Sequence, residues 1–523
     1  MGLGGRARGV PAAQPRRVVP RDAALAPGEE PRARARHGAV LGRRRRLTMR
    51  PGGRASTAGR RTGHAQRVPS ALLCPYSAEN HSQKAGTMRI PSLLAAGVAA
   101  LGLLAGSLAA PAPAAEAAPR ARWLLVADPT ARAVSVADAS TGRITGALPG
   151  AVLGTHAGVI QMGHGRVAFV DEAGPRLDVV DIGSSGVPRI ASSTPIPAVA
   201  GAWTRAGWIS DDPGHRFVAV GSDIDGSTTQ QVTIVDTRRQ LARTATIRTS
   251  EVTLATTGER GTEEMETFLV GSPLRLVVTA GGRLDSYDVS AILGGDTAPA
   301  PVATTPLGAY PHGPVADARG TVIGSTLHDG IETVPLTRGG FGTSVSRAYP
   351  EPAVQSYRPR MAPDGETAVG TQTGTGPGAP TLLTSSSMHG SGVASVALGS
   401  GASTRAVVTP GYAAAVVTGG GVDTLSLVAR GGAGLYDGTV TSVRLPALGQ
   451  SPGAGSAARF LAASDDGSEL FLSRAGTGSV LEIDVSGTTA TVRGTIAVPS
   501  ALADGGYLAT VDPHQRPYDL SGR

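Results

Sequence analysis

One unit recurs along most of this chain, and it constrains the fold more than any other feature. The unit is a turn built on Asp and Gly, an apolar strand, a small polar loop, a second apolar strand often ending Val-Asp, a glycine turn and a third strand. Its last copy runs from Asp465-Asp466-Gly467 through ELFLS, AGTGS, VLEIDV, SGTTA and TVRGTIAVP. Its first copy, WLLVAD-PTARA-VSVADA-STGR-ITGALP, begins at Trp123. Anchored on the second apolar strand, the copies fall at Asp138, Asp181, Asp236, Asp288, Val334, Leu383, Leu427 and Asp484, spaced 43 to 57 residues apart. The apolar runs are short, rich in Val, Leu and Ile, and bounded by turn clusters. Strands have that length and composition, whereas a helix needs about ten or more uninterrupted residues. With 73 Gly and 38 Pro in 523 residues, a helical bundle is excluded.

A small sheet that is apolar on both faces is buried only by stacking on its neighbours. Repeats of this length carrying several short strands predict an all-β fold, a β-propeller of eight four-stranded blades set around a channel. The innermost strand of each blade should precede the Asp/Gly turn. Candidates are residues 157–162, 204–210, 267–272, 313–318, 358–363, 405–410 and 458–464. The first unit lacks such a strand, and the C-terminus carries a spare one, GGYLATVDP (505–513). This spare strand is expected to complete the first blade and close the ring, which removes the open sheet edge. Seven blades is the alternative, if one unit is a long insertion.

The repeats occupy residues 119–523, and two other segments precede them. Residues 1–115 hold 19 Lys+Arg against 4 acidic residues, and the remainder holds 29 against 36, so the overall charge of +8 comes from the N-terminal part. Residues 1–87 are rich in Arg, Gly, Ala and Pro without hydrophobic periodicity, a composition that stays disordered. Arg43-Arg44-Arg45-Arg46 has no aromatic interleaving and no following fold, so no nucleic-acid partner is expected. Residues 88–118 read as a secretory signal peptide: Met88-Arg89, the apolar run Leu93 to Ala110, then small residues with cleavage near Ala115 or Ala118. This places the working start at Met88 and residues 1–87 outside the working protein. A transmembrane anchor is the alternative, but the Gly-rich run and small-residue exit favour cleavage and a secreted chain with no stable membrane anchor. The single Cys74 lies upstream, so there is no disulfide framework or thiolate metal site. A monomer is expected.

The turn Ala362-Pro363-Asp364-Gly365 and the segments 464–499 and 123–149 resemble the YVTN-type, or surface-layer-type, β-propeller repeat. The likeness spans nearly all of 120–520, weakest in the middle, where Gly and Ala replace the usual Asn. It implies a propeller fold and export, and leaves the ligand open, because fold does not decide function. A second segment, YPHGPVADARGTVIGSTLHDGIETV (310–334), resembles exported propeller metallochaperones that hand zinc to an importer. Those proteins also carry a flexible His/Asp-rich loop, which this chain lacks.

Candidate site residues gather where the chain passes into an inner strand. His156 and His312 stand there, with Arg205, Glu264, Glu266, Arg358 and Arg459 at equivalent places in other repeats. Imidazoles with one or two carboxylates suit zinc, making His156, His312 and His328 the metal candidates. Arg205, Arg358 and Arg459 instead suit an anionic ligand at the channel mouth. His164 and His215 fall in Asp/Gly turns and read as surface turn residues; His389 and His514 complete the set. Gly449-Gln450-Ser451-Pro452-Gly453 matches Gly-x-Ser-x-Gly but lacks the strand and helix a nucleophile elbow needs, and reads as a loop. Gly374–Gly378 and Gly390–Gly392 read as connectors, and Asp223-Ile224-Asp225-Gly226 as a solvated hairpin loop. Lactonase-like and quinoprotein propellers share the architecture. Trp203 and Trp208, beside one inner strand, are explained by core packing. The expected function is therefore a non-enzymatic binding scaffold for an envelope partner or small anionic ligand. Zinc delivery is the alternative, and a lactonase-like hydrolase a second.

Overall fold

The computed structural model describes residues 123–154, 157–197, 205–223, 229–248, 251–253, 260–262, 266–280, 282–308, 312–326, 330–351, 356–372, 380–419, 422–446, 459–503 and 505–512. All belong to the compact unit Gly106–Arg523. They form eight antiparallel blades in chain order, the β-propeller that the repeats predict.

Each blade starts from an inner strand and steps outward by hairpins. The inner strands of blades 2 to 6 are Val159–Gly163, Arg205–Asp211, Thr267–Val270, His312–Ala316 and Ser356–Met361. Blade 7 has a split inner strand, Ala402–Ser403 and Val407–Val408, and blade 8 has Leu461–Ala463. Blade 1 is assembled from both ends of the repeat region. Its inner strand, Tyr507–Val511, pairs antiparallel with Trp123–Asp128, Trp123 opposite Val511 and Ala127 opposite Tyr507. Two additions interrupt the pattern: a two-stranded hairpin, Glu251–Thr253 with Arg260–Thr262, between blades 3 and 4, and a short helix, Val289–Leu293, within blade 4. Among the described residues, no helix is long and apolar enough to cross a membrane.

The packing explains why the second strands are continuous apolar runs instead of alternating ones. In Trp123–Asp128, Leu124 and Val126 enter a cluster with Phe471, Val480 and Ile496 of blade 8. Leu125 and Ala127 enter another with Val167, Phe169 and Val180 of blade 2. Successive side chains point to opposite faces, and both faces are buried. The same holds around the ring: eight apolar clusters each bridge one pair of neighbouring blades, the last joining blade 8 to blade 1. Outer strands alternate instead, as Val440–Arg444 shows with every second residue exposed. Fully burying each Leu or Val contributes roughly 1.5–3 kcal/mol, so the core sits between the blades.

Candidate functional site: a cavity lined by bulged inner strands

Five inner strands carry one residue more than the stretch they pair with. In blade 2, Gln161 opposes Val167 and Gly163 opposes Arg166, leaving Met162 unmatched. In blade 3, Ala206 opposes Ser222 and Trp208 opposes Gly221, leaving Gly207 unmatched. In blade 5, His312 opposes Thr326 and Val315 opposes Gly324, so Gly313 and Pro314 share Ser325. In blade 6, Tyr357 opposes Thr371 and Arg360 opposes Val369, so Arg358 and Pro359 share Gly370. Blade 7 spreads the mismatch further: Ser403 opposes Val417 and Val407 opposes Ala414, setting Thr404-Arg405-Ala406 against Ala415-Val416. A bulge breaks the alternation of side chains and re-aims them. An inner strand has no sheet neighbour on its channel side, which is why Pro314 and Pro359 are tolerated there.

The residues on and beside these bulges line a central cavity of about 660 Å³, counting the part open to solvent. Blade 2 contributes Ala157, blade 3 Trp208 to Asp211, and blade 4 Phe268 to Val270. Blade 5 adds Pro314 to Ala316, blade 6 Pro359 and Arg360, and blade 7 Arg405. The Trp208 and Phe268 rings meet at 5.8 Å between centroids, tilted by 57°. In a ring of eight, blade 7 lies four steps from blade 3 whichever way one counts. Trp208 and Arg405 therefore belong to opposite inner strands of the ring and line the same cavity.

Three charged side chains belong to the lining. Arg405 is half-buried and makes no hydrogen bond or ion pair among the described residues. Arg360 is already engaged in other contacts. Asp211 is 2% exposed and its carboxylate pairs with Nδ1 of His215. Ser210, beside it, is 8% exposed, and its hydroxyl finds no hydrogen-bond partner among the described residues. A buried hydroxyl of this kind is open to a hydrogen bond from water or from a bound molecule.

The sequence-derived candidates distribute differently. His156, Glu264, His328 and His514 lie outside the described residues, as do 373–379, 447–458 and most of the Asp223–Gly226 loop. Arg205 and His312 open the inner strands of blades 3 and 5, and Arg358 sits in the blade 6 bulge. Glu266 immediately precedes the inner strand of blade 4, 2% exposed, its N–H donating to the Thr279 hydroxyl at 3.0 Å. Arg459 precedes the inner strand of blade 8, but its Nε donates to Asp423 of blade 7 at 2.5 Å. That ion pair ties two blades together, and Arg459 is not among the residues lining the cavity.

Two expectations are corrected by the geometry. His164 is an exposed turn residue with φ +55°, as expected. His215 shares that turn conformation, φ +50°, yet its side chain is only 10% exposed because it folds back onto Asp211. Trp208 packs against the blade 4–5 cluster but also forms part of the cavity wall. His389 reaches Asp317 Oδ2 at 3.2 Å. Among the described residues, no three His, Cys, Asp or Glu side chains gather in a way that could hold a metal ion. The residues that sequence reasoning missed are Arg360 and Arg405. For Arg360 the signal is the proline of Arg358-Pro359-Arg360, which marks a bulge in an inner strand; Arg405 has no such proline in its strand.

No protein-family model matches the chain, and no curated protein matches it. Among solved structures, it is similar to apo AztD from Citrobacter koseri, with 13% identity over 74% of this chain and 97% of that one, and a TM-score of 0.50. A second crystal structure of Citrobacter koseri AztD matches over 75% of this chain and 98% of that one, again at 13% identity and a TM-score of 0.50. The dihydro-heme d1 dehydrogenase NirN, in complex with DHE, matches at 14% identity over 75% of each chain with a TM-score of 0.47. At these identities the likeness shows the fold alone.

Proposed function

We propose that this protein is an exported binding propeller whose central cavity takes a small anionic ligand and performs no chemistry on it. The observation that carries this reading is Arg405, a guanidinium on the cavity wall with no hydrogen-bond or ion-pair partner among the described residues. Arg is always charged and offers a planar fork of donors, which suits carboxylates and phosphates. An apolar cavity with a few placed polar groups is the usual form of a small-molecule site. Export rests on the signal-like segment 88–118.

Equilibrium dialysis of the purified protein against carboxylates and inorganic phosphate tests the reading. At least one anion should bind, and Arg405→Gln should weaken it about tenfold or more, the scale of one lost charge-assisted hydrogen bond. If no anion binds more tightly than millimolar, the reading is wrong.

A second reading, zinc delivery to a partner in the envelope, is favoured by His312, which opens the inner strand of blade 5. Titration with zinc, using His156→Ala, His312→Ala and His328→Ala variants, separates the two. Binding tighter than micromolar that each substitution weakens would promote it.

A further inference from the structure

Building on the anion-binding reading, we infer that the cavity's ligand is an amphipathic monoanion: one carboxylate on an aromatic body, the carboxylate at Arg405 and the body against Trp208 and Phe268. The charge available sets the first limit. Arg360 is engaged elsewhere, leaving Arg405 as the open cation of the lining among the described residues. Asp211, whose carboxylate pairs with His215, adds no positive charge to the lining, so a second negative charge on the ligand would go unpaired. A phosphate monoester carries close to two charges near neutral pH. A carboxylate carries one and matches the guanidinium fork with two parallel bonds.

The opposite wall sets the second limit. Trp208, Phe268, Leu269, Val270 and Val315 present an apolar surface that a bare inorganic ion would leave wet. Against Trp208 and Phe268, already tilted at 57° to each other, a third aromatic ring gains roughly 0.5–1.5 kcal/mol beyond its buried area. Ser210, buried and without a partner among the described residues, offers one hydrogen bond on that same side. The body therefore has room for one polar substituent near the end away from its carboxylate.

Calorimetric titration of the full chain with 2-naphthoate, 2-naphthalenemethanol, acetate, citrate and inorganic phosphate tests this. Naphthoate should bind at least about tenfold more tightly than the alcohol of the same shape, the scale of one charge-assisted bond, and at least about tenfold more tightly than acetate, the scale of one buried ring. Arg405→Gln should erase the preference over the alcohol while leaving the alcohol's own affinity in place. Trp208→Leu, and the milder Trp208→Phe should the first unfold, should weaken naphthoate and leave acetate unchanged. Citrate or phosphate binding more tightly than naphthoate, with that binding lost in Arg405→Gln, would overturn the amphipathic class and keep the anion reading. Naphthoate binding unaltered by Arg405→Gln would overturn the assignment to this cavity. No binding by any anion would overturn both.

Discussion

At the scale of single residues, the recurring Asp and Gly of the turns have separable duties. Asp364 Oδ1 accepts from the N–H groups of Glu366 and Thr367 at 2.8 and 2.9 Å, and Oδ2 accepts from the Thr367 hydroxyl at 2.8 Å. Gly365 adopts φ +70°, and a Cβ there would lie 2.2 Å from Cβ of Ala318 on the neighbouring blade's turn. Gly365→Ala combines a left-handed backbone with that clash, and should destabilise by more than the roughly 1 kcal/mol that an unstrained exchange would gain. Urea denaturation measures it, and a loss below that size would show that the two turns are free to separate. Asp128 makes the second case. Burial pushes its carboxyl upward, but the Thr130 hydroxyl, Ser500 and the N–H groups of Ala131 and Leu502 outweigh it and hold it below the ordinary carboxylate range. A carboxyl lowered on folding stabilises the protein above its unfolded value, about 3.9, and that stability disappears as pH falls through the lower folded value. Asp128→Asn should therefore lose about 1–3 kcal/mol at neutral pH and show a shallower acid limb in melts between pH 5 and 2.

At the scale of elements, the strands were legible and their irregularities were not. The second strands announce themselves because both faces are buried between blades, which leaves an unbroken apolar run such as Leu124 to Ala127. Seven inner strands fall within about two residues of the segments that the repeat spacing marks out, and that of blade 7 begins upstream of its segment, at Ala402–Ser403. Which inner-strand side chains reach the channel depends on the extra residue in blades 2, 3, 5, 6 and 7, and a one-residue shift reverses every side chain beyond it. Arg360, two residues beyond the expected Arg358 and just past such a bulge, lines the cavity. Arg459 read as a rim cation because its partner, Asp423, lies on the preceding blade, 36 residues away. The two-sided burial makes its own prediction. Leu124→Ala opens a gap toward blade 8 and Leu125→Ala a gap toward blade 2, and each should lose about 2–5 kcal/mol by denaturant unfolding. A half-buried strand would respond at only one of these positions.

For the whole molecule, the closing strand is what makes eight separate sheets one cooperative body. Tyr507–Val511 gives blade 1 its inner strand and also bonds to both neighbours. The Tyr507 hydroxyl accepts from the Val159 N–H of blade 2 at 3.2 Å, and the Thr510 hydroxyl donates to the Ala463 carbonyl of blade 8 at 2.6 Å. The Tyr507 ring lies 4.3 Å from that of Phe460, also beside blade 8. Removing everything after residue 503 leaves Trp123–Asp128 as a bare apolar edge, and such edges pair with other chains. That truncated chain should aggregate on refolding, as light scattering would record, even though seven blades and all of the cavity lining remain in it. Tyr507→Phe keeps the ring and loses only the hydroxyl, for a cost of about 1–3 kcal/mol because the Val159 N–H is left buried and unpaired. Tyr507→Ala removes the ring contact too and should cost about 3–5 kcal/mol. If the truncated chain instead stayed monomeric with an unchanged melting temperature, the terminal strand would be an accessory to a ring that the inter-blade clusters already hold closed.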